Sequence, residues 1–276
     1  MRAIALALGA SLSWGFADFF GPLKGRIFGA LRVLVYVQLS GLVAIAAIVT
    51  IRGRGPADAA VLFAIPAALT GTLGLYAYYR GMAVGAMSIV APIAGIAAVV
   101  PLTVGFLSGD HPSTWQVLGM GCALAGVFLA SREPGRTGSR MAAGVGLALL
   151  AALGFGAYYP AMHAAGNADF WWASLIFRMT STSVILAAVV VVRPTLAMPV
   201  LQLPALALIG MGDQLGNLLF AAASSSGLVS ITSVLASLYP MVTVVLARII
   251  LEERVARSQE AGIGLTLAGV ALISAG

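Results

Sequence analysis

Charged residues are scarce in this chain, and so are the residue types that carry most catalytic chemistry. Only 9% of the 276 residues are Asp, Glu, Lys or Arg, against roughly 25% in soluble domains. The single cysteine, Cys122, excludes an intrachain disulfide and a cysteine-based metal site. The two histidines, His111 and His163, have no second histidine at helical spacing, so we expect no metal and no cofactor. A soluble catalytic domain has no room in such a sequence.

Two further motifs are missing from the sequence. No glycine-rich loop ends in Lys-Ser or Lys-Thr, so an ATP-driven pump would need a partner chain. No histidine–acid pair is placed to activate a serine nucleophile. The net charge of +6 comes from basic residues in short loops, which indicates contact with anionic lipid and not with nucleic acid.

Long apolar runs take up most of the chain. Hydrophobic residues make up 61% of the sequence, in blocks of about 18–25 residues that match the ~30 Å hydrocarbon core of a bilayer. Continuous runs such as 184–192 lack the alternating polarity of a membrane β-strand. We therefore predict an all-α integral membrane protein with ten transmembrane helices. The predicted spans are 3–22, 28–51, 59–82, 86–107, 113–131, 141–163, 170–192, 203–224, 229–251 and 258–275.

An internal repeat divides the sequence into two halves. At a shift of 143, nine of the sixteen residues in 116–131 are identical to those in 259–274, including Leu-Ala-Gly-Val. Shifts of 141 and 142 align Gly15 with Gly156 and Ser88-Ile89 with Ser230-Ile231. We predict two five-helix repeats, 1–134 and 135–276. Five is odd, so the second repeat enters the membrane inverted, which is the arrangement that builds a midplane substrate site and permits alternating access.

The layout resembles the EamA-domain branch of the drug/metabolite transporter superfamily. The residues that carry the resemblance are Trp14-Gly15-Phe16, Pro101, Phe155-Gly156, Pro240, Glu252-Glu253, Gln259, Gly262 and Leu267-Ala268-Gly269-Val270. The resemblance covers the whole chain as two copies of one module, and implies a bacterial inner-membrane exporter of aromatic and other neutral amino acids. The first copy differs from the pattern in having Asp110 where a Glu is usual.

Ionisable residues inside predicted spans are the first candidates for a substrate site, because a charge in the membrane is costly and usually functional or paired. Arg178 and Asp213 each lie about ten residues into a span, and neither has a charged counterpart in the first half. They form either a structural ion pair or a binding site, with Arg178 holding a carboxylate and Asp213 an amine or a proton. Asp18 and Trp14 share one face of the first span, where Asp18 is either simply hydrated or part of the cavity.

Other candidates are neutral. Gln214 and Asn217 share a helix face with Asp213, and this face either lines a cavity or bonds to neighbouring helices. Tyrosines near the ends of the third and sixth spans either face the substrate or belong to an interfacial belt. These are Tyr78, Tyr79, Tyr158 and Tyr159. Prolines within spans predict kinks, static or hinge-like. These are Pro92, Pro101, Pro160 and Pro240.

Together these features predict a secondary transporter, not an enzyme. We expect it to export amino acids, including aromatic ones, through a central cavity in the bacterial inner membrane. The substrate gradient or protons supply the energy, with Asp213 or Asp18 as proton carrier. An exporter of organic cations or drugs is the alternative, and it requires an unpaired acid in the cavity. A membrane-embedded enzyme acting on lipid-linked substrates is the alternative from another class.

Overall fold

The structure is a computed structural model that describes residues 1–83, 94, 96–130, 141–250 and 257–275. All regular secondary structure in these residues is helical. Short 3₁₀ turns at Ala59–Phe63, Ile96–Ala98 and Val200–Gln202 precede three of the helices. The α-helices are α1 (Arg2–Phe28), α2 (Ala30–Arg52), α3 (Ala64–Ala83), α4 (Val99–Leu107), α5 (Thr114–Ala130), α6 (Met141–Val192), α7 (Leu203–Ser224), α8 (Val229–Ala236), α9 (Tyr239–Ile250) and α10 (Arg257–Ala275).

Five segments of the described chain are long and apolar enough to cross a membrane. They are Arg2–Phe28, Ala30–Arg52, Ala59–Gly81, Gly146–Val192 and Val200–Ser224. Gly146–Val192 has 47 residues, enough for two crossings at ~20 residues each. Shorter apolar helices cover Thr114–Leu129, Val229–Thr243 and Glu260–Ile273, where we predicted further spans. Part of the predicted span 86–107 and the repeat boundary between 134 and 135 lie outside the described residues.

The predicted loop between the sixth and seventh spans is mostly helical. Helix α6 runs through 164–168 and is interrupted at Asp169, which has the extended dihedrals φ −162° and ψ 106°. The Asp169 carboxylate accepts hydrogen bonds from the backbone N–H groups of Trp171 at 2.9 Å and Trp172 at 3.3 Å. Asp169 therefore caps a new helical limb, 170–192, and two spans are joined by a bend without a loop.

Two of the predicted kinks have a different form in the structure. Pro240 is the second residue of α9 and Pro101 the third residue of α4, so each lies at the beginning of a helix and not in its interior. The first-turn N–H groups of a helix have no intrahelical acceptor, so proline removes no hydrogen bond there. Pro160 does lie inside α6, and α1 contains an additional interior proline, Pro22. Pro92 lies outside the described residues.

The last helices of the two halves cross through glycines that the sequence repeat makes equivalent. A Cβ on Gly119 would lie 2.7 Å from the carbonyl oxygen of Gly269, and one on Gly126 would lie 2.7 Å from that of Gly262. The repeat pairs Gly119 with Gly262 and Gly126 with Gly269. Residue numbers rise along α5 as they fall along α10 across these contacts, so the two equivalent helices are antiparallel. Inverted repeats require this arrangement.

Each half also packs its first helix against the other half in an equivalent way. A Cβ on Gly216 of α7 would lie 2.5 Å from the Trp14 ring, and one on Gly74 of α3 would lie 3.0 Å from the Phe155 ring. Trp14 and Phe155 are equivalent at a shift of 141, and Gly74 and Gly216 at a shift of 142. The sequence repeat converts each of these contacts into the other, so the first helix of each half packs against the other half in the same way.

Candidate functional site

Arg178 is completely buried and lies at the centre of a hydrogen-bonded cluster. Its Nε donates to Oε1 of Gln214 at 2.7 Å, and its Nη2 donates to Oδ2 of Asp213 at 2.5 Å. Its Nη1 donates to Oε1 of Gln38, on α2. Three acceptors from two helices thus satisfy the guanidinium in different directions. Arg178 and Asp213 form the ion pair that was one of their two interpretations, and a role of Asp213 in binding stays a prediction.

Two glycines make room for this cluster. A Cβ on Gly41 would lie 3.1 Å from Cζ of Arg178, and one on Gly210 would lie 2.0 Å from Oγ of Ser40 and 2.2 Å from the carbonyl oxygen of Val37. Helices α2 and α7 therefore approach closely enough for their side chains to hold the arginine from both sides. This close packing explains why Arg178 is inaccessible.

A cavity lies beside the cluster and encloses about 530 Å³ of empty space, including the part open to solvent. The first half contributes residues from α1, α2 and α3, and the second half from both limbs of α6, from α7 and from α9. The lining residues are Trp14, Asp18, Gln38, Gly71, Thr72, Leu75, Phe155, Tyr158, Tyr159, Phe177, Ser181, Asp213, Asn217 and Tyr239.

The two acids of the cavity wall differ in their surroundings. Asp213 is neutralised by Arg178. Asp18 is 7% exposed, lines the cavity and takes part in no ion pair within the part of the chain that the structure describes. A buried ionised carboxylate without a partner is costly, so Asp18 requires a proton, a cation or water from the cavity.

Aromatic rings form much of the remaining wall. Trp14 meets Tyr158 and Tyr159 edge to face, with ring centroids 5.9 and 6.2 Å apart. Tyr158 also meets Phe177 at 5.3 Å. Rings held at these distances and angles are stabilised beyond their burial, and they present flat surfaces to a ligand. The wall is thus pre-formed for an apolar or aromatic group.

Tyrosine hydroxyls provide polar groups within this aromatic wall. The hydroxyls of Tyr158 and Tyr239 are buried and have no hydrogen-bond partner among the described residues, and both residues line the cavity. A buried hydroxyl loses free energy when it is unpaired, so each needs a partner supplied by water or by a ligand. Asn217 adds a side-chain amide to the wall, although its Nδ2 donates to the carbonyl oxygen of Asp213 at 2.8 Å.

The structure brings six of the ten predicted site residues to the cavity wall. They are Trp14, Asp18, Tyr158, Tyr159, Asp213 and Asn217. Arg178 and Gln214 lie behind the wall. Tyr78 and Tyr79 are buried outside the lining, and Tyr79 packs so closely on Gly21 that a Cβ there would lie 1.9 Å from its hydroxyl oxygen.

Sequence reasoning missed several wall residues. Gln38 is not among the residues predicted from the sequence. The signal that could have identified it is that it is a lone amide in an apolar span. Phe155 is named above only as part of the family motif. Its equivalence to Trp14 in the sequence repeat is the signal that could have placed it in the cavity wall. Phe177, Thr72, Ser181 and Tyr239 carry no pattern that distinguishes cavity lining from ordinary packing.

Comparison with known proteins gives one family and one fold. The model of the EamA-like transporter family matches residues 1–132 and 142–275, which is nearly the whole chain in two copies. A crystal structure of a protein with 16% sequence identity superposes with a TM-score of 0.82, covering 99% of this chain and 98% of that chain. At this identity the likeness establishes the fold alone. A search of curated proteins finds no match.

Proposed function

The chain belongs to the EamA-like transporter family, which makes it a multi-pass membrane transporter of small molecules, and on this premise we propose that it exports amino acids, including aromatic ones. The carrying observation is Asp18, an unpaired carboxyl in an aromatic cavity to which both halves contribute. A protonated amine meets the carboxyl, and an aromatic or apolar side chain meets the rings.

Neutral groups bind the carboxylate of the substrate. Arg178 is fully buried and already bonded to three acceptors, so a substrate would have to break this cluster to reach it. Tyr158 and Tyr239 belong to the wall, and their hydroxyls have no partner among the described residues, so a carboxylate can pair with them without breaking an existing hydrogen bond. This assignment replaces the sequence-based role of Arg178 as carboxylate ligand with a positioning role, in which it fixes Asp213 and Gln38 at the wall.

Transport proceeds by alternating access between the two halves. The cavity draws its wall from both repeats, and equivalent helices are antiparallel, which supports rocking of one half against the other in the bacterial inner membrane. Asp18 is also the better proton carrier of the two acids, because the Asp213 carboxylate already accepts a hydrogen bond from Arg178. Substrate and proton would compete for Asp18.

An exporter of organic cations is the second candidate. It requires an unpaired acid in the cavity, and Asp18 meets this requirement. The substrates of the two candidate functions differ in one chemical group, because an organic amine lacks the carboxylate that Tyr158 and Tyr239 would bind. Phenylalanine and phenethylamine differ by this carboxylate alone and therefore separate them.

Counterflow in proteoliposomes tests the proposal with labelled phenylalanine and phenethylamine. We expect the protein to exchange phenylalanine. The rate of exchange should decrease about tenfold or more in Asp18→Asn, because a charge-assisted hydrogen bond contributes ~1.5–3 kcal/mol. The matched control Asp58→Asn should exchange phenylalanine normally. Asp58 lies in an exposed loop and caps Ala60, a role that Asn also fills.

The other outcomes of this assay are equally informative. Exchange of phenethylamine alone would establish the cation exporter. Exchange of neither compound would make the substrate class wrong. Recovery of a chemically altered solute would indicate an enzyme, because a transporter releases its substrate unchanged.

A further inference from the structure

A second recess lies at one end of the helices and shares no lining residue with the central cavity. It holds about 700 Å³ of empty space, including the part open to solvent, between the junction of α1 and α2, the last turns of α3 and the segment that follows α6. Its lining includes Phe28, Gly29, Arg32, Tyr76, Arg80 and Val192. We call it the end groove. None of these residues takes part in the substrate site.

Two arginines of the end groove carry uncompensated charge. The Nε of Arg32 is buried and has no hydrogen-bond acceptor in the described part of the chain. Arg80 is exposed, and neither arginine forms an ion pair within the described residues. Arg32 has only a weak aromatic contact, with its Cζ 6.0 Å from the centroid of the Phe28 ring. A buried donor of a permanently charged group requires an acceptor, so the groove is built for an anion.

The beginning of α2 adds to the positive potential. Gly29 precedes this helix with φ +92°, a conformation that favours glycine, and no side chain caps the helix. The first turn contains no acidic residue, so its N–H groups and the positive end of the helix dipole are not compensated by the protein. These groups share the end groove with Arg32.

We propose that the end groove binds the phosphate of an anionic phospholipid. The groove opens where membrane-spanning helices end, and its neighbours are strongly exposed apolar residues, as expected beside lipid. Val192 is 62% exposed and Ile27, in the adjoining last turn of α1, is 71% exposed. Tyr76 is 37% exposed beside Arg80, as interfacial aromatic residues are. The phosphate would bridge Arg32 and Arg80 while the acyl chains extend along Val192.

Native mass spectrometry of the purified full chain with phosphatidylglycerol, phosphatidylcholine or inorganic phosphate tests this proposal. We expect retention of phosphatidylglycerol alone, and a decrease of roughly 30-fold in its affinity for the double variant Arg32→Gln/Arg80→Gln, since each cation near a membrane surface contributes ~1 kcal/mol. The matched control Arg54→Gln removes an exposed arginine after α2, at the opposite end of that helix, and should retain the lipid.

Three results would overturn the proposal. They are unchanged phosphatidylglycerol retention in the double variant, equal retention of phosphatidylcholine, and competition by millimolar inorganic phosphate, which would indicate a site for soluble anions. If the double variant is not monodisperse, Arg32→Lys/Arg80→Lys keeps the charge and should retain the lipid within a few fold. Counterflow of phenylalanine is a separate readout, so failure of lipid binding does not bear on the substrate site.

Discussion

Arg178 and Asp213 are unequally buried, and this difference predicts unequal effects of losing either partner. The Arg178 side chain is 0% exposed, whereas that of Asp213 is 13% exposed and faces the cavity. If Arg178 is removed, the Asp213 carboxylate can take up water or a proton. If Asp213 is removed, Arg178 keeps a charge that it cannot lose and has only the amides of Gln38 and Gln214 as partners.

We therefore expect Asp213→Leu to destabilise the protein more than Arg178→Met. Removing one partner of a buried pair typically costs ~3–5 kcal/mol, and we expect Asp213→Leu to lie in this range and Arg178→Met below it. The double variant should recover part of the loss, because no unpaired charge remains. Thermal unfolding in detergent measures the order. Equal losses in the two single variants would show that the cavity does not hydrate Asp213.

The same residues show what one sequence can reveal about the site. An arginine and an aspartate in the middle of apolar spans are rare enough to be identified by composition alone. Their partner Gln38 is neutral, and its role depends on the close approach of α2 and α7, which the sequence does not encode locally. Phe177 and Tyr239 look like other apolar or interfacial residues until their helices are placed.

Among the helices, the α5–α10 crossing depends on glycine at particular positions. A Cβ on Gly126 would lie 2.4 Å from Oγ1 of Thr266 and 2.7 Å from the carbonyl oxygen of Gly262, whereas a Cβ on Gly121 of the same helix would meet no atom of the described residues within 4 Å. Both glycines match in the repeat, Gly126 with Gly269 and Gly121 with Gly264. Identity across the repeat therefore does not distinguish a packing glycine from an open one.

This contrast gives a paired prediction for the helix. Gly126→Ala should lower stability by about 1–3 kcal/mol, because the backbones must separate. Gly121→Ala should leave stability unchanged or raise it by up to ~1 kcal/mol, because alanine favours the helix. Thermal unfolding of the two variants in one detergent provides the comparison. A stable Gly126→Ala protein would mean that α5 and α10 are not in contact there.

The helix ends were harder to predict than the helices. Apolar run length located α1, α2, α3, α7 and the limbs of α6. The loop predicted at 164–169 is wrong for 164–168, where three alanines favour the helix despite Gly166 and Asn167, while Asp169 caps the next limb from within. Pro240 was identified as a source of irregularity, but the chain breaks before it, at Ser237 and Leu238, because proline begins a helix more easily than it bends one.

In the whole molecule, the two halves match in packing and differ at the cavity. Gly15 packs on the carbonyl oxygen of Tyr239, and its counterpart Gly156 on that of Ala97, with Cβ distances of 2.9 and 3.0 Å. The sequence repeat predicted this scaffold. The charged cluster around Arg178 has no such counterpart, so the two sides of the cavity differ chemically. An inverted scaffold with an unsymmetrical lining orients an asymmetric substrate in one way.

Inversion also has a consequence for topology that a single labelling experiment can examine. Gly55, in the loop after α2, and Ala197, in the loop after α6, are equivalent at a shift of 142, and both are exposed. With Cys122 replaced by alanine, we expect a membrane-impermeant maleimide added to intact cells to label Gly55→Cys or Ala197→Cys, but not both. Inside-out vesicles should reverse the result. Labelling of both positions from one side would mean that the two repeats are parallel in the membrane. The midplane cavity would then need another explanation, because it is inverted repeats that place a site there. Parallel repeats would also conflict with the contacts of Gly119 with Gly269 and of Gly126 with Gly262, which require α5 and α10 to be antiparallel.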